Sequence, residues 1–368
     1  MLVLLAAEAF AQAPQAELTQ AQPHWGFAGT PLFNYSSDTG LGFGARGMAQ
    51  RRVEGASRYS LSLEAQAYGS SGGTQLHFLS VDAPSVAGSA WRVDALAGYY
   101  RNAAAHYYGL GNHPRVSEEA LESHLESAPV ARLRARRTFL GHASLQLGYR
   151  MFYQSITAPE RSLLAREAPF GSGGGAFSEL SLGLAWDTRD DELAPTRGVL
   201  LETAARSTLK ALGSTGNAAG FYASASAYQP IRSGWLIAAR VAVDGWVGDV
   251  PFDRLGDFGT LLSPFLVVSG MGGGLTVRGL VQSEYVGKVK LVGNFELRFP
   301  LGGFDLFSRR VTFSGVAFAD AGQVDGGPAR LGIGGGLRIR WGQFFLVRMD
   351  AGYAEDRARF YLDFGNVF

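Results

Sequence analysis

The chain has 368 residues, 46% hydrophobic and 18% charged, and a formal net charge of +1. A near-neutral balance offers no global field for nucleic acid, so no nucleic-acid partner is expected, and the absence of cysteine excludes disulfides and cysteine-based zinc sites. Fifty glycines, 24 phenylalanines and 14 tyrosines, set in short alternating segments with few helix-favouring runs, indicate a large all-β protein rich in turns.

In chain order, the first segment is the apolar run Met1–Ala7, followed by Ala11-Gln12-Ala13. A short apolar stretch before an A-x-A site predicts a secretory signal peptide over residues 1–13. It lacks the basic start of such a peptide, and a frayed apolar terminus is the alternative. Residues 14–26 read as a polar linker on the periplasmic side or a short plug. About sixteen strands are then predicted. The first eight are 27–34, 41–52, 58–69, 73–82, 90–101, 129–138, 139–154 and 177–187. The second eight are 198–208, 218–229, 232–246, 285–300, 309–320, 329–341, 344–354 and 358–367. Each is about long enough to cross a bilayer with tilt, and no segment reaches the roughly 20 apolar residues of a membrane helix. A membrane-spanning chain of this kind has to close its sheet, because an open edge in lipid leaves backbone groups unpaired.

The alternation is sharpest late in the chain. Val289, Leu291, Gly293, Phe295, Leu297 and Phe299 form one face, and Lys290, Val292, Asn294, Glu296 and Arg298 the other. Leu180, Leu182, Leu184 and Trp186 repeat the pattern, as do Leu331, Ile333, Leu337, Ile339 and Trp341 opposite Arg338 and Arg340. One face suits hydrocarbon and the other a polar lumen, which predicts a transmembrane antiparallel barrel over residues 27–368. Long polar loops fall at 102–128, 155–176 and 247–284, all on the outer side when counted from a periplasmic N-terminus. Within the first of these, Ser117–Leu125 is acidic and reads as a solvated loop, with a short helix as the alternative. Trp186, Trp235, Trp246 and Trp341 are expected in interfacial girdles.

Four segments together resemble a known family. They are Val277-Arg278-Gly279-Leu280; Phe318-Ala319-Asp320-Ala321-Gly322; Asp187-Thr188-Arg189-Asp190 with Pro195-Thr196-Arg197-Gly198; and the C-terminal row Phe360, Leu362, Phe364, Phe368. In this order they are similar to the BamA/TamA superfamily, also called the bacterial surface antigen family, of outer-membrane insertases and secretion pores. Tyr107–Asn112 and Ser37–Gly44 resemble segments of its barrel-only members. Leu280 stands where the family carries an aromatic, so that contact is expected to be weaker.

The resemblance implies an outer-membrane location and a barrel acting in protein or lipid insertion or transport. It also implies contact with outer-membrane lipids and lipopolysaccharide, and assembly by the cell's own barrel assembly machinery. Residues 14–26 are too few for a periplasmic POTRA domain, so a separate periplasmic partner protein is expected to supply that part. A passive or gated pore, or a structural outer-membrane protein, is the alternative.

The resemblance further implies that the long loop before strand 12 re-enters the lumen with Val277, Arg278, Gly279 and Leu280 at its tip. Gly270-Met271-Gly272-Gly273-Gly274 supplies backbone freedom for such a path. An arginine shielded from water needs an anionic partner. Asp320 is the candidate, sharing a strand face with Phe318 and Gly322, and Glu296 on the preceding strand is placed to orient the guanidinium through a bidentate bond. The row Phe360, Leu362, Phe364 and Phe368 is implied to be a β-signal, an ordinary last strand being the alternative. Asp187–Gly198 reads as a hydrogen-bonded turn in which Arg189 and Arg197 satisfy carboxylates. Pro31 breaks the first strand and hints at a weak closing seam.

No catalytic residue, metal site or cofactor is expected. There is no G-x-S-x-G elbow and no H-E-x-x-H helix. Gly332-Ile333-Gly334-Gly335-Gly336 leads into an alternating strand, so no helix N-terminus follows to bind phosphate.

Overall fold

The computed structural model describes residues 23–52, 59–116, 122–192, 194–259, 270–306, 309–341, 345–364 and 367–368. The expected signal peptide and residues 14–22 of the expected linker lie outside these. Sixteen strands form one closed antiparallel barrel, each paired with its sequence neighbours. The first eight are β1 (His24–Ser36), β2 (Gly40–Arg52), β3 (Leu61–Ser70), β4 (Thr74–Ala83), β5 (Trp91–His106), β6 (Ser123–Phe139), β7 (Ala143–Thr157) and β8 (Gly175–Asp187). The others are β9 (Gly198–Thr208), β10 (Ala218–Arg232), β11 (Trp235–Gly248), β12 (Val289–Leu306), β13 (Arg309–Val324), β14 (Arg330–Trp341), β15 (Phe345–Ala354) and β16 (Arg357–Phe364). Two short helices, α1 (Leu163–Glu167) and α2 (Phe252–Leu255), lie in connections.

Alternation decides which side chain goes where. Along β12, Lys290, Val292, Asn294, Glu296 and Arg298 are buried within the barrel, whereas Val289, Leu291 and Phe295 face out. Phe27, Phe43, Leu79, Leu182, Val241 and Leu331 are likewise outward and exposed. Apolar area left in water costs about 25 cal/mol per Å²; a wall built this way matches hydrocarbon, and its polar residues are turned inward.

Because the strand number is even, both chain ends lie at one rim. The connections at that terminal rim include 140–142 and 233–234, whereas the opposite loop rim carries 107–122, 158–174 and 249–288. The expected partition of short turns and long loops therefore holds.

Several boundaries differ from the expectation. β1 starts at His24, so residues 24–26 belong to the wall and not to a linker. β6 starts at Ser123 instead of 129, because its first turns carry polar side chains that hide the alternation. Residues 123–125 of the acidic stretch are therefore strand, and 117–121 lie outside the described residues. β12 runs from Val289 to Leu306, later than the expected 285–300, and absorbs Pro300 through a bulge between Pro300 and Gly302. Trp246 is not in a girdle: it sits on the luminal face with Ala242 and Asp244, packed under the Arg206 guanidinium at 4.2 Å.

The ring closes weakly. β1 pairs with β2 along its whole length, from His24↔Arg52 to Ser36↔Gly40. With β16 it pairs only through Tyr35↔Leu362 and Ser36↔Tyr361. Among the described residues, 24–34 have no ladder partner on that side, and Pro31 lies within this stretch.

Candidate functional site: a loop latched inside the barrel

Of the connection from β11 to β12, residues 270–288 fold back into the lumen. Its tip, Val277–Leu280, is buried on every side: Val277, Arg278 and Leu280 expose none of their surface. Gly279 takes a positive φ of 101°, which turns the chain at the tip. Val277 and Leu280 join a buried cluster with Met271, Phe258, Tyr285 and Val292. Leu280 is thus fully packed among apolar side chains, and the contact expected to weaken is an aliphatic one.

Arg278 is held by carboxylates from three strands. Its Nε and Nη2 donate to the two oxygens of Asp320 at 2.7 and 2.9 Å, and its own backbone N–H donates to Asp320 at 3.1 Å. Nη1 donates to Glu296 at 2.6 Å and approaches Asp350 at 3.3 Å. The guanidinium carbon lies 3.5 Å from the centre of the Phe318 ring. The bidentate partner is therefore Asp320, and Glu296 gives a single bond through one oxygen. The other Glu296 oxygen accepts from Arg298 at 2.8 Å, and Arg338 bridges Glu296 and Asp350 at 3.3 and 2.6 Å. A lone charge here would carry a heavy desolvation cost; alternating cations and anions offset it.

The backbone of the tip is held as closely as its side chain. Arg240 donates to the Leu275 carbonyl at 2.9 Å, Asn294 to the Thr276 carbonyl at 2.6 Å, and Arg348 to the Gly274 carbonyl. The wall beneath is made of glycine. A Cβ at Gly332 would overlap the Arg278 carbonyl oxygen, and one at Gly352 would lie 2.7 Å from the Gly279 nitrogen. At Gly322 it would overlap Met271 and meet Val277. Gly322 of β13, Gly332 of β14 and Gly352 of β15 thus form a flat seat for the loop. Asp350 in turn reaches over β14 because its ladder partner is Gly336.

Reading the sequence found Arg278, Asp320, Phe318, Gly322 and Glu296, and the fold brings all five together. It missed Asp350, Gly332, Gly352 and the bracing arginines Arg298 and Arg338. Their luminal positions were visible in the alternation, but which of them meet depends on strand register.

The same loop grips the closing seam on its way out. Asp38, in the β1–β2 turn, accepts from the Gln282 backbone at 3.3 Å and from Arg359 of β16 at 3.1 Å. Arg357 of β16 donates to both oxygens of Glu284 at 3.0 Å. Tyr285 donates to Glu355 at 2.7 Å. Tyr107–Asn112 crosses the loop rim to the same region: Gly111 bridges to Val286, and Asn112 donates to the Pro328 carbonyl at 3.1 Å.

The two remaining sequence segments behave differently from one another. In the β8–β9 turn, Arg189 clasps Asp187 at 2.9 and 2.8 Å. Asp190 accepts from the Thr196 and Arg197 backbones at 2.9 and 3.2 Å; these donations, together with the Thr196 hydroxyl, outweigh desolvation and hold its carboxyl below the usual range. Arg197 thus contributes its backbone, not its side chain.

The C-terminal row is not one outward face. Phe360 is outward and exposed, Leu362 is half-buried at the seam, and the Phe364 side chain lies outside the described residues. Phe368 turns into the lumen, its ring 6.2 Å from Tyr228 and 5.1 Å from the Arg240 guanidinium. β16 ends at Phe364, and Phe368 lies inside the wall. Inside, the last ring finds aromatic and cationic partners that lipid does not supply.

A sixteen-stranded transmembrane barrel whose own loop is latched across its lumen defines the class of protein. The Omp85 superfamily domain matches residues 100–368, and the chain belongs to that superfamily. In fold it is similar to BamA from Haemophilus ducreyi lacking POTRA domains 1–3, at 16% identity and a TM-score of 0.59, over 94% of this chain and 70% of that one. It is also similar to CdiB from Acinetobacter baumannii, at 13% identity and a TM-score of 0.50, over 95% of this chain and 60% of that one. No curated protein matches the chain.

Proposed function

We propose that this chain is an outer-membrane barrel of insertase or translocation type, acting on protein or lipid with a separate periplasmic partner and without catalysis of its own. Its terminal rim then faces the periplasm. One observation carries the reading: the latched loop holds the β1–β2 turn on one side and β16 on the other side of a seam that shows only two ladder pairs among the described residues. A row of unpaired backbone groups facing lipid costs several kcal/mol per group. Such an edge favours pairing with an incoming strand, and release of the loop is the step that frees it. A passive pore needs an open lumen, whereas here the loop tip and Phe368 occupy the β10–β16 side.

Cysteines replacing Tyr35 and Leu362, directly paired across the seam, test this. Oxidised protein in liposomes is expected to lose its acceleration of a client barrel's insertion, and reduction to restore it. Equal acceleration by oxidised and reduced protein, or none by the wild type with its partner present, would overturn the reading.

A further inference from the structure

The outer wall has a feature that the latch does not use. A groove of about 520 Å³ lies across the lipid-facing side of β6–β9. That is within the roughly 300–1,000 Å³ of sites that hold small molecules. Leu133, Leu147, Leu180 and Leu182 stand exposed around it, and the smaller Ala135 and Ala205 leave the space. Register places Ala135, Leu147, Leu182 and Ala205 side by side in one row across the four strands. The lining is apolar almost throughout.

One charge stands at the terminal-rim end of this groove. Arg137 follows Leu133 and Ala135 on the same outward face of β6 and is exposed. Among the described residues, alternation leaves it the only charge on the outward faces of β6–β9. A charge on the lipid face of a barrel is tolerated only near an interface, and Arg137 lies two residues before the end of β6 at Phe139. Its ladder partner on β5 is Trp91, whose ring centre is 5.8 Å from the guanidinium carbon. Tryptophan at the end of a spanning element sits at headgroup level. The Arg137 donors meet no acceptor among the described residues, which leaves them for the headgroup layer.

We propose that the outer wall of β6–β9 holds one anionic glycerophospholipid, its phosphate on Arg137 beside Trp91 and an acyl chain along the groove. A phosphodiester presents the paired oxygens that a guanidinium fork takes up. A chain running from Arg137 toward the bilayer centre passes Ala135 and then Leu133, at about 7 and 14 Å, and so enters the groove. An anionic headgroup complements the lone arginine, whereas a zwitterionic one brings a cation of its own. The inference needs only a membrane-spanning barrel and not the seam, so its failure is read separately from that of the cysteine lock.

Native mass spectrometry of the intact barrel in detergent, titrated with dioleoyl-phosphatidylglycerol or dioleoyl-phosphatidylcholine, tests the site. The wild type is expected to retain one phosphatidylglycerol about tenfold more tightly than phosphatidylcholine, the worth of a charge-assisted hydrogen bond. Arg137→Gln breaks no ion pair among the described residues and should fold, as checked by gel mobility, but lose that preference. Arg137→Lys should keep part of it. Ala135→Leu fills the groove without touching charge and should weaken the binding of both lipids. Arg51→Gln is the matched control: Arg51 of β2 is also exposed and paired with a tryptophan, Trp25 of β1, but lies away from the groove. It should leave the tightest-bound lipid unchanged. Equal retention of the two lipids by the wild type, equal losses in Arg137→Gln and Arg51→Gln, or unchanged binding in Ala135→Leu would each overturn the proposal.

Discussion

Arg278 sits where no atom of its side chain touches solvent, and its fork is shared among Asp320, Glu296 and Asp350. Removing one member of a buried ion pair leaves the others uncompensated and costs about 3–5 kcal/mol. Arg278→Ala is therefore expected to loosen the loop. The folded band seen on unheated gels should collapse at a lower temperature than in the wild type, and single-channel conductance should rise. If neither changes, the loop is not a latch. Arg278→Lys keeps the charge but not the fork, and is expected to recover only part of the loss. Gly332→Ala asks the same question without touching charge. Its methyl group would overlap the Arg278 carbonyl, and overpacking of this kind costs about 1–3 kcal/mol. A Gly332→Ala barrel with wild-type stability and conductance would show that the tip is not seated on β14. The arginine and its aspartate were legible in the sequence because the family resemblance put the arginine inside the lumen, where a shielded guanidinium demands a carboxylate. The glycine seat was not legible, because a glycine records the close approach of another chain segment only once that segment is in place.

At the scale of elements, the long loop is fastened at its entry as well as at its tip. Helix α2 packs Phe252 edge-on to Tyr107, at a centroid distance of 5.2 Å, and buries Arg254 between Asp253 and Asp257. Burial pushes the Asp253 carboxyl up to about 6, Arg254 opposing and Glu126 and Asp257 adding to the shift. Its folded value thus exceeds the ordinary carboxylate value of about 3.9. Between that value and about 6 the folded state binds more protons than the unfolded one, so stability falls as pH rises across this window. Asp253→Asn should flatten that part of the profile, read as the gel-collapse temperature between roughly pH 4 and pH 7. A slope that persists in the variant would remove Asp253 as its source. Strand identity was legible wherever apolar residues alternate, as along β8, β12 and β14. It failed at the start of β6, where both faces are polar, and after β16, where Phe368 lies inside the wall.

Taken whole, the molecule is the reverse of a soluble protein: hydrocarbon-like outside and ionic within. It should leave membranes only in detergent and give a circular dichroism spectrum dominated by β-structure. Solubility without detergent, or a largely helical spectrum, would contradict the barrel.

The sequence by itself determined the period of alternation, and with it the strand number, the antiparallel wall and the inward and outward faces. These depend on residues close together in the chain. Only the tertiary structure decided which inward residues meet. The carboxylates around Arg278 come from β12, β13 and β15, and the hold on the seam joins residues 38, 282, 357 and 359. Such contacts are set by register summed around a closed ring, where a slip of one residue in any strand would turn the next wall inside out. No local stretch of sequence carries that sum.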